Sequence, residues 1–504
     1  MSDGAIVLSV AFGYLAVCLA VGMWPSKRSS DSAEGYVAGD RGMGLLVMYF
    51  ITGATIFSAF AFLGMPGWAY SKGVAALYIL GYGSLGFVPF YFLGPRAARV
   101  GKAMGIVTQA EMVSKRFGSR AIAGLMAVVS VYALVPYVAL QMKGAGYVLE
   151  AVSGGAIAEK WGALIVYGVV ATYVLKSGVL GVGWTNTFQG ILMMVLAWTF
   201  GLYLPWKLYG GVGPMFERLA ESHPEMLKAP GLASPIVNEG GVIERAGPWS
   251  WASYSSTVVV SIIGFSVWPQ LFMRAFSAKS EKVLRRTVVL YPTFQLFLIP
   301  ILLIGFAGIL YVGEAPLKAD QVLPHLIMQL DLSPVIVGLF CAGALAASMS
   351  SGDAFVHTAG SILVRDGLVT CLGKQYSPHE ERKLIRILLV VVLVVSYALA
   401  VTYQGSLASL LIYAYGPISQ FFPAVLATLC WRRATGAGVL SGLLAGTFVS
   451  LAFVTFLAQY SGGVHAGLYG LLANVTALVA VSLATQRPDA TSERFLTIAG
   501  RKQP

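Results

Sequence analysis

The chain has 504 residues, of which 57% are hydrophobic and 11% charged, with a mean hydropathy of +0.75 and a formal net charge of +12. So few charges cannot cover a water-soluble fold of this size, so lipid must be the main solvent. The basic excess is spread over short segments between apolar runs, which argues against nucleic acid as a partner and for a polytopic protein of a bacterial inner membrane.

A hydrocarbon core about 30 Å thick takes roughly 20 apolar residues per helix. Backbone groups in lipid must bond within their own segment, so these runs read as helices. In chain order the predicted spans are 5–23, 45–70, 74–93, 121–150, 160–176, 184–208, 250–273, 287–313, 333–363, 387–403, 407–430, 437–458 and 466–486, about 13 in all. The first follows Met-Ser-Asp-Gly with no basic start and runs into Lys27 and Arg28, so it reads as a retained helix, not a cleaved signal peptide. With the N-terminus periplasmic and the C-terminus cytoplasmic, the cytoplasmic loops and tail hold most of the 34 Lys and Arg residues, including Arg96, Arg99, Lys102, Lys115, Arg116 and Arg120.

Setting aside the first span and the last two leaves ten helices, five from about residue 45 and five from about residue 250. The expected organisation is an N-terminal extra helix and loop over 1–44, a first repeat over 45–208, an extracellular connection over 209–249, a second repeat over 250–433, and two helices with a tail over 434–504. Each half opens on a span rich in helix breakers: Gly53, Gly64, Pro66 and Gly67 in one, Gly264 and Pro269 in the other. Broken helices at matching positions suit ion and solute binding, because freed carbonyls and helix ends point into the gap; simple kinks are the bland reading. The 209–249 connection carries Pro214, Pro224, Pro230, Pro235 and Pro248. No phosphate-cradling loop is present, which argues against an ATP-driven pump, and no nucleophile, base and oxyanion set suggests an enzyme. Cys18, Cys341, Cys371 and Cys430 are far apart and form no disulfide or metal framework.

Within 333–363 the stretch ALAASMSSGDAFVHTAGSILVRD places Ser350 and Ser351 side by side, with the carbonyl of Ala347 one turn earlier. Such neutral oxygens suit a small hard cation, although serines also serve ordinary helix packing in membranes. This stretch resembles the MST-AD-S signature of the sodium:solute symporter family. GATIFSAFAFLGMPG from Gly53 to Gly67, WPQLFMRAFSAKS from Trp268 to Ser280, WRRATGAGVLSGLLAG after Cys430, TQAEMVSKRFGSR and the Gln141 to Gly146 stretch are similar to further family segments, over about residues 34 to 445.

The resemblance implies an all-α membrane protein with a five-plus-five inverted-repeat, leucine-transporter-like core and Na⁺ as coupling ion. Carried over residue by residue, it implies a sodium site made by the carbonyls of Ala54, Phe57 and Ala347 and the hydroxyls of Ser350 and Ser351, with Gly53 permitting the unwound backbone. Ile56 stands where the proline carriers have an Asp, and Asn186 where many relatives have an Asp tied to a second sodium site, so one ion per solute is expected. Thr55, Ser58, Ala59, Tyr137, Gln141, Phe265 and Trp268 are nominated for substrate, and Tyr413, Tyr415 and Arg274 for gates, Arg274 reaching towards Asp353 or Asp366.

Three ionisable residues within spans carry two readings each. Lys143 could attract a carboxylate or snorkel. Asp353 and His357, four apart on one face, could relay a proton or hold hydrogen bonds that fix structure. The first expectation for the solute is a short monocarboxylate, with a sodium- or proton-coupled carrier of small amino acids or pantothenate as the alternative. A non-transporting sensor with the same fold is the reading from a different class. A monomer is expected to suffice.

Overall fold

The computed structural model describes residues 3–27, 32–233, 236–237, 243–244, 247–312, 322–330, 332–403, 414–486 and 490–500. The first helices are α1 (Asp3–Met23), α2 (Ala33–Ala38), α3 (Leu45–Ile56), α4 (Met65–Lys72), α5 (Tyr78–Gly86), α6 (Val88–Met104), α7 (Gln109–Phe117), α8 (Arg120–Val152) and α9 (Glu159–Tyr209). After α10 (Val212–Ser222) and a two-residue antiparallel pair, Ile236–Val237 with Ile243–Glu244, come α11 (Trp251–Phe265), α12 (Pro269–Phe272), α13 (Arg274–Ser277), α14 (Glu281–Gln295) and α15 (Leu298–Val312). The chain continues through α16 (Val322–Gln329), α17 (Pro334–Ile362), α18 (Pro378–Thr402), α19 (Phe421–Cys430), α20 (Gly436–Thr455), α21 (Ala466–Ala484) and α22 (Ala490–Gly500).

Among the described residues, nine helical stretches are long and apolar enough to cross a membrane, or ten if the pair bent by 42° between Phe265 and Pro269 counts as one. The thirteen spans expected from the sequence do not appear as thirteen separate helices. Spans 160–176 and 184–208 run on as the 51 residues of α9, a length that straight α-helix geometry would stretch to more than twice the membrane core. The chain turns there at Gly178, whose φ of 56° favours glycine and whose α-carbon lies against Tyr36, leaving no room for a side chain. Span 45–70 is split into α3, a π-helical turn over Phe60–Gly64 and α4. Part of span 407–430 lies outside the described residues.

Two groups of helices share the core. The interrupted ones are α3 with α4, α11 with α12, and α14 with α15; α8 and α17 run unbroken beside them, and α17 is buried along nearly its whole length. At one end of the bundle, charged side chains tie the groups internally. Arg365, just past α17, pairs with Glu111 of α7 and Glu381 of α18, at 3.0 Å each. Asp366 accepts from Thr108 at the start of α7. Arg116 of α7 donates to the carbonyls of Ala427, Thr428 and Trp431 at the last turn of α19, where helix carbonyls run short of donors. On the interrupted side, Arg99 of α6 pairs with Glu281 at the start of α14, at 2.8 Å.

Replacing Arg365 by Ala leaves Glu381, 10% exposed, without this ion pair and Glu111, 5% exposed, with Lys115 as its remaining cation. Breaking one partner out of such a pair costs about 3–5 kcal/mol, so Arg365→Ala should markedly lower the thermal unfolding midpoint in detergent. Lys115→Ala, which removes the exposed partner of Glu111, should change it little, within about 1 kcal/mol.

Candidate functional site

α3 ends at Ile56. Phe57 caps it with a ψ of 75°, and the chain re-enters helix at Phe60. In a continuous helix the N–H of Ser58 would bond the carbonyl of Ala54, and the N–H of Ala59 that of Thr55. Here the N–H of Ser58 turns to the carbonyl of Ile56, at 2.9 Å, and the N–H of Ala59 donates to Oε1 of Gln141 on α8, at 2.7 Å. The carbonyls of Ala54 and Thr55 are thereby released from their helix.

Both are met from α17. Ser350 Oγ donates to Ala54 O at 3.0 Å and lies 3.3 Å from Ala347 O, while Ser351 Oγ donates to Thr55 O at 2.7 Å. Ala54, Thr55, Ala347, Ser350 and Ser351 are all fully buried. Five neutral oxygens from an interrupted helix and an unbroken one are thus paired at a fully buried junction, a donor set of the kind that fits a small hard cation. Phe57, named as a carbonyl ligand from the sequence, packs its ring on Phe297 and Phe294 and lines the adjoining cavity. The Thr55 carbonyl is an oxygen of this cluster that the sequence reading missed. Gly53 stays inside α3; its place is to admit the Phe294 ring, not to unwind the backbone.

Beside the cluster lies a cavity of ≈ 30 Å³, lined by Ile56, Phe57, Ser58, Phe60, Ala61, Ile79, Tyr82, Gly83, Tyr137, Phe265, Gln295, Leu298 and Tyr415. Four of the residues nominated for substrate or gate line it: Ser58, Tyr137, Phe265 and Tyr415. The Tyr137 hydroxyl lies 3.4 Å from Ser58 Oγ. The others stand behind it. The Thr55 hydroxyl is spent on Ile51 O at 2.6 Å. Ala59 and Gln141 clamp the break, and Trp268 packs edge-on against Tyr137 and Tyr415, with ring centroids 5.5 and 5.3 Å away. Tyr413 lies outside the described residues. Tyr82, Gly83 and Gln295 were missed; Gln295 alone carried a signal, as a polar residue in the middle of an apolar span.

The ionisable residues resolve towards their structural readings. Lys143 donates to the carbonyl of Tyr403 at 2.8 Å and lies 3.6 Å from Glu159, away from the cavity lining. Asp353 accepts from Tyr173 at 2.7 Å, Thr185 at 3.1 Å and Asn186 at 3.4 Å, all across to α8's neighbour α9. His357 meets the carbonyl of Tyr36 instead, at 2.9 Å, so no described hydrogen bond joins it to Asp353. Arg274 is 2% exposed and forms no ion pair with Asp353 or Asp366; Asp366 is engaged by Thr108.

Comparison with known proteins agrees with this architecture. The model of the "Sodium:solute symporter family" matches residues 36–446. Among curated relatives, the symporter YhjB of Bacillus subtilis is 29% identical, over 95% of this chain and 97% of its own. The high-affinity proline transporter PutP of the same organism is 25% identical, over 95% and 98%. Among solved structures, a Na⁺-coupled sialic acid symporter in a substrate-bound outward-open state superposes with a TM-score of 0.79 at 21% identity, covering 96% of this chain and 99% of that one. MhsT in complex with L-phenylalanine, a leucine-transporter-type fold, gives 0.51 at 14% identity, over 88% and 99%.

Gln141→Leu would leave the buried N–H of Ala59 without an acceptor, at a cost of about 1–3 kcal/mol. It should lower the unfolding midpoint and also weaken sodium-induced stabilisation, read as a smaller sodium-dependent shift of that midpoint; Gln141→Glu, which keeps an acceptor, should retain more of the shift.

Proposed function

The chain belongs to the sodium:solute symporter family, and on that premise we propose that it imports a small zwitterionic solute, of the size and kind of an α-amino acid, with one sodium ion per cycle. Members of this family are membrane transporters, not enzymes, and sodium is the coupling ion. The observation that carries the solute reading is the cavity lining: among the described residues it holds no Asp, Glu, Lys, Arg or His. A solute of net charge would sit there uncompensated, at a cost of several kcal/mol, whereas a zwitterion brings its own counter-charge.

The interruption in the first core helix suits one end of such a solute. Phe60 and Ala61 open the second half of that helix and line the cavity, and the first N–H groups of a helix attract a carboxylate. The rings of Tyr82, Phe265 and Tyr415 suit an apolar body or a cationic nitrogen. The short monocarboxylate expected from the sequence gains no support from the similar proteins reported above, whose names carry proline, sialic acid and L-phenylalanine.

In this reading the sodium ion replaces the two hydroxyl hydrogen bonds between α3 and α17. Ser350 and Ser351 rotate their lone pairs inward, and the carbonyls of Ala54, Thr55 and Ala347, with that of Phe57, complete the shell. The ion then holds α3 to α17 in the state that admits solute, and separation of the two helices on the other side of the membrane releases both. Coupling comes from the difference in affinity between the two states, not from tight binding as such. A potential of 100 mV contributes about 2.3 kcal/mol per charge and a tenfold sodium gradient about 1.4, enough for roughly a few hundredfold accumulation of a solute with no net charge. The three donors on Asp353 and the neutral amide of Asn186 favour a single ion. The two halves over 45–208 and 250–433 act as the inverted repeats, with the N-terminus outside and the basic loops and C-terminus inside.

Proteoliposomes loaded with inward sodium or proton gradients, imposed separately, test this with labelled proline, alanine, lactate and acetate. Sodium should drive uptake of the zwitterions. Uptake of lactate or acetate alone, or uptake driven by protons alone, would overturn the reading. The Ser350→Ala, Ser351→Ala double variant should still insert but need at least about tenfold more sodium for half-maximal uptake.

A further inference from the structure

We propose that Gln295 is a specificity-determining residue of this cavity, its carboxamide oxygen accepting a hydrogen bond from the nitrogen end of the solute; the inference rests on the zwitterion reading above. Gln295 is the last residue of α14, and two residues separate it from α15. Its helix is therefore the third interrupted element to reach the cavity, after the break beside Ser58 and the break after Phe265, and all three residues line it. Gln295 is 2% exposed.

The two ends of its amide are used differently. Nε2 donates to the hydroxyl of Tyr291, one turn earlier on α14 and fully buried, which fixes the plane of the group. Oε1 receives no hydrogen bond from any described residue and lies over Gly83 of α5, also on the lining. A methyl group at position 83 would press on Oε1 and push it aside, which is cheap because it is the far end of a flexible side chain. Gly83 is thus a positioning residue for the amide.

Among the described lining residues Gln295 carries the only carboxamide, and the lining has no charged group. Its oxygen is a fixed acceptor, and a solute that presents an N–H there satisfies it, while one that presents a second acceptor leaves both unpaired in a dry site. The rings of Tyr82 and Phe265 share the lining with this acceptor, and aromatic faces favour a protonated nitrogen over an anion. Substrates therefore differ in how they meet this one oxygen.

The test uses full-length protein in proteoliposomes with an inward sodium gradient and labelled proline, alanine, arginine and lactate, comparing wild type with Gln295→Leu, Gln295→Glu and Gly83→Ala. Sodium-induced stabilisation of each purified variant checks that the ion site and fold are intact. The expected result is that Gln295→Leu and Gly83→Ala raise the half-saturating concentration of the preferred zwitterion about tenfold or more, with maximal rate and sodium dependence within about twofold of wild type. Gln295→Glu should shift selectivity towards arginine, a change that a packing role would not produce. Wild-type half-saturation and selectivity in the Leu and Glu variants would overturn the assignment while leaving the transport reading in place. A wild type that binds sodium yet takes up none of the four solutes would remove the transport reading, and this inference with it.

Discussion

Two backbone carbonyls govern this structure. The chain between Phe57 and Ser58 leaves the helix, and the N–H groups that would have closed on Ala54 O and Thr55 O go to Ile56 O and to Gln141. Buried carbonyls without partners cost free energy comparable to a lost hydrogen bond each, so the break persists only because Ser350 and Ser351 meet them from α17. The same exchange makes the position reversible. A hydroxyl can give up its proton-donating contact and present lone pairs to a cation, so a hydrogen-bonded junction between two helices and an ion-bridged one use the same oxygens. The interruption of α3 and its packing on α17 therefore meet at a single place in the fold, the place proposed for the ion.

The surrounding helices make that junction mechanical. α8 and α17 are unbroken and joined by Ser348, which donates to Gln141 O at 2.6 Å, so the residue that holds the break and the residues that fill it belong to one packed unit. The interrupted helices face them, and the cavity opens where three interruptions meet. Arg365 ties the end of α17 to α7 and α18 through Glu111 and Glu381, and Arg99 ties α6 to α14 through Glu281.

Much of this was legible in the sequence, and the failures have physical causes. Apolar length located the helices, because lipid forces every span to satisfy its own backbone. The adjacent serines at 350 and 351 marked one side of the oxygen cluster, whereas the break on the other side falls at Phe57 and Ser58, ahead of the run Gly64, Pro66 and Gly67, which is helical. Which carbonyl each serine meets was not legible, since that depends on the one-residue position of the break; Thr55 O took a place in the cluster and the Thr55 hydroxyl turned back to Ile51. Gly53 misled because glycine reads as conformational freedom, whereas here it gives space to Phe294. Tyr82 and Gly83 left no mark because α5 has the composition of any apolar helix, and the count of spans failed where α9 passes through Gly178 without a polar loop. Asp353 and His357 have helical spacing suited to a shared role, yet they face different elements, α9 and α2.

In the proposed sodium site the ion is held by the oxygens of Ala54, Thr55, Phe57, Ala347, Ser350 and Ser351. A cryo-electron microscopy map of the protein in sodium, compared with one in a sodium-free buffer of the same ionic strength, tests it most directly. The expected result is a density in the sodium map enclosed by those oxygens, with both serine hydroxyls turned from the carbonyls towards it, and no such density in the sodium-free map. Serines still bonded to Ala54 and Thr55 in saturating sodium, with an ion resolved elsewhere in the bundle, would contradict it.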